Sequence, residues 1–178
     1  MVTNEPTDGT AEVAEIIRRL RDGQFDQCEL NAMLGRLNAL VDIEVDAMHV
    51  PDDAGEYEQD IVALLARIPQ GWGRWISCEA GWYPLITALG ADLAIVDPDY
   101  EIHQIKEKFG TLRFYAETNL EGELGERFDS LIEAAEGRSF HICERCGSES
   151  AELYLSGKPI GLYKTLCADC SDAMRIPG

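Results

Sequence analysis

Four cysteines near the end of the chain constrain its folding more than any other feature. They form two Cys-x2-Cys pairs, Cys143/Cys146 and Cys167/Cys170, with twenty residues between the pairs. Two such pairs at this separation are typical of a zinc site, because soft, charged thiolates suit Zn²⁺ and four of them complete a tetrahedron. Since four cysteines leave no coordination position for water, the sequence predicts that this zinc is structural and not catalytic.

The segment between the two pairs predicts a small zinc ribbon. Strands are expected at 151–155 and 160–166, with a turn at 156–159. So short a segment cannot build its own core, and structural zinc contributes about 10–16 kcal/mol in small zinc peptides. Four free thiols or a redox dithiol are the alternatives, but two facing pairs favour zinc. Of the other cysteines, Cys28 lies on the apolar side of a predicted helix, and Cys78 is interpreted as a free thiol.

The charge of the chain is strongly negative. Its 178 residues include 15 basic and 33 acidic side chains, a net charge of −18, and residues 1–60 alone hold four basic and fifteen acidic residues. A field of this sign repels phosphate backbones, so general nucleic-acid binding is disfavoured and a protein partner with a basic surface is favoured. The simpler interpretation is that the acidity only supports solubility.

Hydropathy and the cysteines also predict a cellular compartment. No run of eighteen apolar residues is present, and residues 1–8 are polar and acidic, without the basic start and apolar stretch of a secretory signal. We therefore predict a cytoplasmic location, where the reducing environment favours zinc over disulfides.

Apolar periodicity predicts an α+β fold with three regions. These are an acidic helical region at 1–69, an α+β domain at 70–138 and the zinc ribbon at 139–178. Residues at helical spacing predict helices at 10–22, from 27 onward, at 58–68, at 85–96 and at 126–136. Alternating residues at 100–117 predict a β-hairpin with Phe109-Gly110 in its connection.

The hairpin carries the only concentrated positive charge, at Lys106, Lys108 and Arg113. Cations beside an exposed aromatic ring such as Phe109 can hold an anionic ligand or stack a base. The alternative, which we favour, is internal neutralisation by the many carboxylates. Trp82 and Tyr83, in the Gly-Trp-Tyr-Pro stretch, carry a similar ambiguity between packing and partner binding.

Catalytic motifs are not recognisable in the sequence. It contains no Gly-x-Ser-x-Gly, no phosphate-cradling loop and no His-Glu-x-x-His. The three histidines, His49, His103 and His141, do not lie beside a carboxylate or nucleophile in a known motif, and His141 is interpreted as a flanking residue of the first cysteine pair. The sequence therefore gives no indication of an enzyme.

Several motifs occur together in an order that resembles a known group of proteins. Gly81-Trp82-Tyr83-Pro84, the string Lys-Glu-Lys-Phe-Gly-x-Leu-Arg-Phe-Tyr at 106–115 and the cysteine pairs resemble small uncharacterised zinc-ribbon proteins of bacteriophages and prophages. The resemblance covers residues 70–178 and implies a phage-derived origin, in a bacterial host cytoplasm, but no activity. The chain also resembles HNH nucleases loosely. Those enzymes need metal-binding histidines between the cysteine pairs, and this sequence has none there.

The expected function is therefore that of a non-enzymatic phage accessory protein. It is expected to bind a host or phage macromolecule, above all a protein with a basic surface. The first alternative is nucleic-acid binding through the basic hairpin and the zinc ribbon. The second is an enzyme that acts on a small anionic ligand held by Lys106, Lys108 and Arg113.

Overall fold

The computed structural model describes residues 46–155 and 163–174. All of them belong to one compact unit, Val45–Gly178. The helices predicted at 10–22 and from 27 onward, Cys28 and the turn predicted at 156–159 lie outside the described residues. Among the described residues, no helix is long and apolar enough to cross a membrane.

The described residues form a mixture of helices and strands, which confirms the α+β prediction. The strands are β1 (Met48–His49), β2 (Arg74–Ser77), β3 (Glu101–Lys108), β4 (Thr111–Glu117), β5 (Glu152–Leu155) and β6 (Tyr163–Leu166). The helices are α1 (Glu58–Ala66), α2 (Tyr83–Val96), α3 (Gly122–Ser139) and α4 (Ala168–Met174). Two short 3-10 turns, Gly55–Tyr57 and Ala80–Trp82, precede α1 and α2.

The main sheet has four strands in the order β1-β2-β3-β4. Strands β1, β2 and β3 run parallel, and helices α1 and α2 connect them, since parallel neighbours need a crossover. Strands β3 and β4 form the predicted antiparallel hairpin. Its first arm extends to Lys108, two residues further than expected, because Phe109 and Gly110 both have positive φ and make a two-residue turn.

One hydrophobic core joins the sheet to helices α1, α2 and α3. Leu112 and Phe114 of β4 face this core, as the alternating pattern predicts, and are 0% and 2% exposed. Helix α1 contributes Ile61 and Leu65, both fully buried in the same core. The division predicted at residue 69 therefore does not separate this helix from the following domain.

Helix α3 is longer than predicted and covers the open edge of β4. Its Glu136 carboxylate accepts a hydrogen bond from the Phe114 N–H at 3.0 Å, and the Ser139 hydroxyl accepts one from the Leu112 N–H at 3.0 Å. These contacts hold the last turn of α3 in place, so the helix continues through Gly137 to Ser139. They also occupy backbone donors that an edge strand otherwise leaves free.

Candidate metal centre

The four predicted metal-ligating cysteines come together in the folded chain. The sulfur atoms of Cys143, Cys146, Cys167 and Cys170 all lie within 4.8 Å of one another, and those of Cys146 and Cys167 are 3.6 Å apart. Tetrahedral coordination with bonds of about 2.3 Å separates two thiolates by about 3.8 Å, whereas a disulfide requires about 2.0 Å. The spacing therefore fits a shared metal ion and not a covalent bond.

The first cysteine pair lies on a tight turn. The Gly147 N–H donates to the Cys143 carbonyl at 2.8 Å, and Gly147 has a φ of 78°, which glycine adopts without strain. The Cys143 N–H donates to the Ser148 carbonyl at 2.7 Å and closes the turn. This backbone geometry aims both sulfurs of the pair toward one point.

The second cysteine pair follows β6 directly. Cys167 follows Leu166, the last residue of the strand. Cys170 lies in the short helix α4, whose Ser171 N–H donates to the Cys167 carbonyl at 2.9 Å. Strands β5 and β6 pair antiparallel between the two cysteine pairs, with Leu153 opposite Thr165. The predicted hairpin between the cysteine pairs is thus present over its described residues.

The surroundings of the Cys143 thiol lower its pKa. Burial by itself raises its pKa, but backbone N–H groups of Cys167, Cys146 and Arg145 donate to the sulfur and lower the pKa to about 7. Because the thiolate is the form that binds metal, this environment favours coordination by Cys143, whereas burial and the neighbouring cysteine sulfurs raise the pKa of Cys170.

The Gly-Trp-Tyr stretch anchors the first cysteine pair to the α/β core. The Gly81 N–H donates to the Glu144 carbonyl at 2.8 Å, and the Trp82 indole N–H donates to the Ile142 carbonyl at 2.8 Å. A Cβ on Gly81 would overlap the carbonyl oxygen of Cys143, so only glycine allows this approach. The Gly-Trp-Tyr stretch therefore packs against the turn that holds the first cysteine pair.

Trp82 and Tyr83 do not lie on the surface, contrary to the suggestion that they bind a partner. Their side chains are 0% and 2% exposed, and both belong to the main core. The Tyr83 hydroxyl donates to the Asp53 carboxylate at 2.8 Å. A partner cannot reach either ring in this fold, so their role is structural.

The turn of the basic hairpin makes the second contact between the α/β core and the cysteine unit. The Thr165 hydroxyl donates to the Gly110 carbonyl at 2.5 Å, and a Cβ on Gly110 would overlap the side chain of Leu153. The Glu144 N–H donates to the Thr165 carbonyl at 2.9 Å. The φ of 79° therefore favours glycine at this position, whereas the exposed Leu153 side chain can move away from an added Cβ.

A buried ion-pair network that the sequence did not reveal lies at the same contact. The Lys164 ammonium is 2.6 Å from the Glu144 carboxylate and 3.0 Å from that of Glu79. The Glu144 side chain is fully buried, and its second oxygen has no hydrogen-bond partner among the described residues. Burial lowers the pKa of Lys164, but these two carboxylates outweigh it and raise the pKa above its usual value.

Cys78 lies close to this network and is not a metal ligand. Burial raises the pKa of its thiol, and the nearby Glu144 carboxylate raises it further. The thiol therefore stays protonated at neutral pH, which fits the prediction of a free cysteine.

The cations of the basic hairpin differ in their surroundings. Arg113 is neutralised internally by Glu136, at 3.4 Å, as the favoured alternative predicts. Lys106 lies over the ring of Tyr115, 5.4 Å from its centroid, and Lys108 lies over Phe109 at 5.7 Å. Neither lysine forms an ion pair with a carboxylate among the described residues. The hairpin therefore presents two positive charges next to aromatic rings.

Apolar side chains are exposed where the hairpin turn meets the cysteine unit. We call this surface the tip patch, and it consists of Phe109, Leu153, Leu155 and Tyr163, which are 64%, 51%, 57% and 40% exposed. The Phe109 and Tyr163 rings contact edge to face, with centroids 5.7 Å apart. Leu155 and Tyr163 are opposite each other on β5 and β6. The patch is therefore continuous across both parts of the unit.

Phe109 holds a backbone conformation that its side chain disfavours. Its φ is 56°, and among the described residues it is the one non-glycine position with positive φ. For a bulky residue this conformation is unusual, and residues held in such strained regions cluster at functional sites. The sequence placed Phe109 in the turn but gave no sign of this strain.

The chain was also compared with known proteins. No protein-family model, no curated protein and no solved structure matches it.

Proposed function

We propose that this chain is a phage-type accessory protein without enzymatic activity, which binds a protein partner with a basic surface. The observation that carries this proposal is the exposed tip patch, in which Phe109 is held in a strained conformation and contacts Tyr163. Zn²⁺ is proposed as the structural ion that holds the second half of the patch in place.

Zinc suits the four-cysteine site because of its ligand type and number. Four thiolates in a compact cluster favour Zn²⁺ or an iron–sulfur centre over the hard cations Mg²⁺ and Ca²⁺. Two tight Cys-x2-Cys pairs are the usual arrangement of structural zinc. With all four positions filled by sulfur, the ion would stabilise the fold and would not activate water.

The tip patch has the properties of a binding surface. Contiguous exposed apolar side chains on a folded chain mark interaction sites, and aromatic residues are enriched at the buried centres of interfaces. Phe109 presents its ring to solvent although its backbone is strained, and strain of this kind persists where function requires the geometry.

The charge of the chain indicates the kind of partner. The net charge is −18, and helix α3 exposes Glu123, Glu126, Asp129 and Glu133 to solvent. A negative field attracts basic proteins over long distances and speeds their association, while apolar contacts supply the affinity. The partner that fits is therefore a basic protein whose apolar patch contacts the tip patch. Its lysine and arginine side chains would face the exposed carboxylates of α3 and not Lys108, which lies over Phe109.

The test is capture of partners with the full-length chain and a Phe109→Asn variant. Asparagine tolerates positive φ, and Asn-Gly is a preferred pair for this turn. We expect the variant to be more stable to unfolding by about 1 kcal/mol, yet to lose the basic proteins that the wild-type chain retains from a bacterial lysate at low salt.

The matched control is Ile95→Gln, which removes an exposed apolar side chain from helix α2, where Ile95 is 76% exposed. It should retain the same proteins as the wild-type chain. Equal capture by the Phe109→Asn variant, or no capture by the wild-type chain, would contradict the proposal.

Single-stranded nucleic acid is the second candidate partner. It is favoured by one observation, the position of Lys106 and Lys108 over the rings of Tyr115 and Phe109 without ion-pair partners among the described residues. Stacking platforms with adjacent cations bind single strands in this way. A gel shift with single-stranded oligonucleotides that is abolished by Lys106→Ala and Lys108→Ala would favour this candidate over a protein.

An enzyme acting on a small anionic ligand is the least supported candidate. It requires Lys106, Lys108 and Arg113 to act together, but the Arg113 guanidinium is 3.4 Å from the Glu136 carboxylate and donates to the Leu112 carbonyl at 2.7 Å. Only the two lysines are then available to hold an anion.

A further inference from the structure

We propose that Glu101, His103 and Glu117 form a second metal site, distinct from the four cysteines, for a first-row divalent transition ion. The ligand atoms of these three side chains all lie within 4.8 Å of one another. None of them is close in sequence to the cysteine pairs, and no sequence motif pointed to them.

The site is built by an irregularity in the hairpin. Glu101 of β3 is directly opposite Glu117 of β4, so both carboxylates project from the same face. The pairing shifts between Ile102 and Gln104, which leaves His103 as an extra, unpaired residue. Such bulges redirect side chains, and here the His103 Nε2 atom is 3.7 Å from the Glu117 carboxylate.

The two carboxylates would be unfavourable neighbours without a cation. Like charges directly opposite each other on paired strands destabilise a hairpin. The His103 imidazole faces Glu117, so it lies where it can contribute a ligand atom beside both carboxylates. A divalent ion held by all three side chains would neutralise both carboxylates at once, and it would use neutral imidazole as a ligand.

Trp72, which is itself 57% exposed, packs against the imidazole. Its indole stacks on the His103 ring, with centroids 4.6 Å apart and an angle of 18° between the planes. The His103 side chain is only 24% exposed, while Glu117 is 66% exposed and free to adjust. One ligand is therefore held in place by packing, and the carboxylates close around the ion, which requires bonds of about 2.0–2.2 Å.

The donor set indicates which ions the site would take. One imidazole nitrogen and two carboxylate oxygens suit Zn²⁺, Co²⁺, Ni²⁺ or Mn²⁺, whereas thiolate-rich sites suit softer ions. Three protein ligands leave positions open for water or for a group from a partner. This site would therefore differ from the cysteine site in having exchangeable positions.

Cobalt titration of the full-length, zinc-loaded chain tests the proposal. Bound Co²⁺ is paramagnetic and would lie beside Trp72, so we expect saturable quenching of tryptophan fluorescence with one ion per chain. Trp72→Phe should remove most of the quenching. Intense thiolate-to-cobalt absorption would reveal exchange into the cysteine site, and its absence assigns the quenching to the new site.

Substitutions of the proposed metal-binding residues decide whether this site binds Co²⁺. His103→Ala is expected to weaken Co²⁺ binding by about 100-fold, because loss of even an outer-shell partner costs about 10–100-fold. Glu117→Gln should weaken binding in the same direction, while His141→Ala, at an exposed histidine elsewhere, should leave it unchanged. Absence of saturable quenching, or quenching that His103→Ala and Glu117→Gln leave intact, would overturn the proposal.

Discussion

The α/β core and the cysteine unit are folded by different interactions, although they belong to one compact unit. Among residues 46–155 and 163–174, the core contains nineteen buried hydrophobic residues, whereas the cluster around the cysteine pairs contains four, of which two are cysteines. A large core is stabilised by burial of apolar surface, but so small a cluster cannot offset the loss of chain entropy. The four cysteines, which could hold a metal ion, therefore lie in the part of the chain with few buried apolar residues.

The contact between the two regions is polar and depends on close backbone approach. Gly81 and Gly110 let two loops of the core reach the cysteine unit, and Lys164 bridges Glu79 and Glu144 across the contact. This contact determines whether the two regions unfold together. The following predictions test it, from the largest expected effect to the smallest.

Metal removal is expected to have the largest effect. Chelation or Cys143→Ser should unfold the segment from Cys143 to Met174 while helices α1–α3 persist, because structural zinc contributes about 10 kcal/mol or more to such segments. Circular dichroism follows the helices, and a chelating dye counts the released zinc. If the helices were lost in the same transition, the two regions would be one cooperative unit and the comparison would fail.

Loss of the buried cation should have the next largest effect. Lys164→Met leaves the Glu144 carboxylate buried without its partner, which typically costs about 3–5 kcal/mol. Urea unfolding measures the change in the free energy of unfolding. The double variant Glu144→Gln/Lys164→Met should recover part of the loss, and no recovery would show that the ion pair is not the cause.

Gly81→Ala should weaken the contact between the two regions, because the added methyl group would overlap the turn of the first cysteine pair. The added methyl group meets backbone atoms of the first cysteine turn, including the Glu144 carbonyl at 2.6 Å, and backbone cannot move aside cheaply. We expect a loss of about 3 kcal/mol and faster zinc release. The control is Gly137→Ala in α3, where nothing lies within 4 Å and a gain of about 1 kcal/mol is expected.

Alkaline pH should weaken the core through Tyr100. Burial raises the pKa of its hydroxyl to about 12, although the Arg67 guanidinium opposes the shift. Since the unfolded value is about 10, the stabilisation is present below pH 10 and is lost as pH rises through 12. Tyr100→Phe should therefore reduce the slope of stability against pH in this range, and an unchanged slope would exclude Tyr100 as its source.

Local patterns predicted most of the described secondary structure, because apolar spacing reports the face that each element buries. The hairpin, the helix after Pro84 and the antiparallel strands between the cysteine pairs follow this rule. Strands β1 and β2 were not predicted, because they have only two and four residues and are too short to show a pattern. Parallel pairing joins strands that are far apart in the sequence, so the pattern of a short segment does not reveal it.

The metal-ligating cysteines were the part of the site that sequence could identify, since their spacing is itself the signal. Glu144, Lys164 and Glu79 are far apart in the sequence and have no motif, so their network becomes visible only in the folded chain. The same holds for Glu101, His103 and Glu117, which one bulge brings together. For Trp82 and Tyr83 the choice between packing and partner binding stayed open, because sequence cannot distinguish a packed aromatic from an exposed one.

The sequence by itself determined the mixed fold class, the acidic character and the cysteine cluster. Composition and spacing suffice for these properties, because they depend on which residues are present and on short separations along the chain. Only the tertiary structure decided which side chains are exposed, that Arg113 forms an ion pair with Glu136, and that Phe109 is exposed beside Tyr163. These properties depend on contacts between distant segments, and packing of the whole chain selects them.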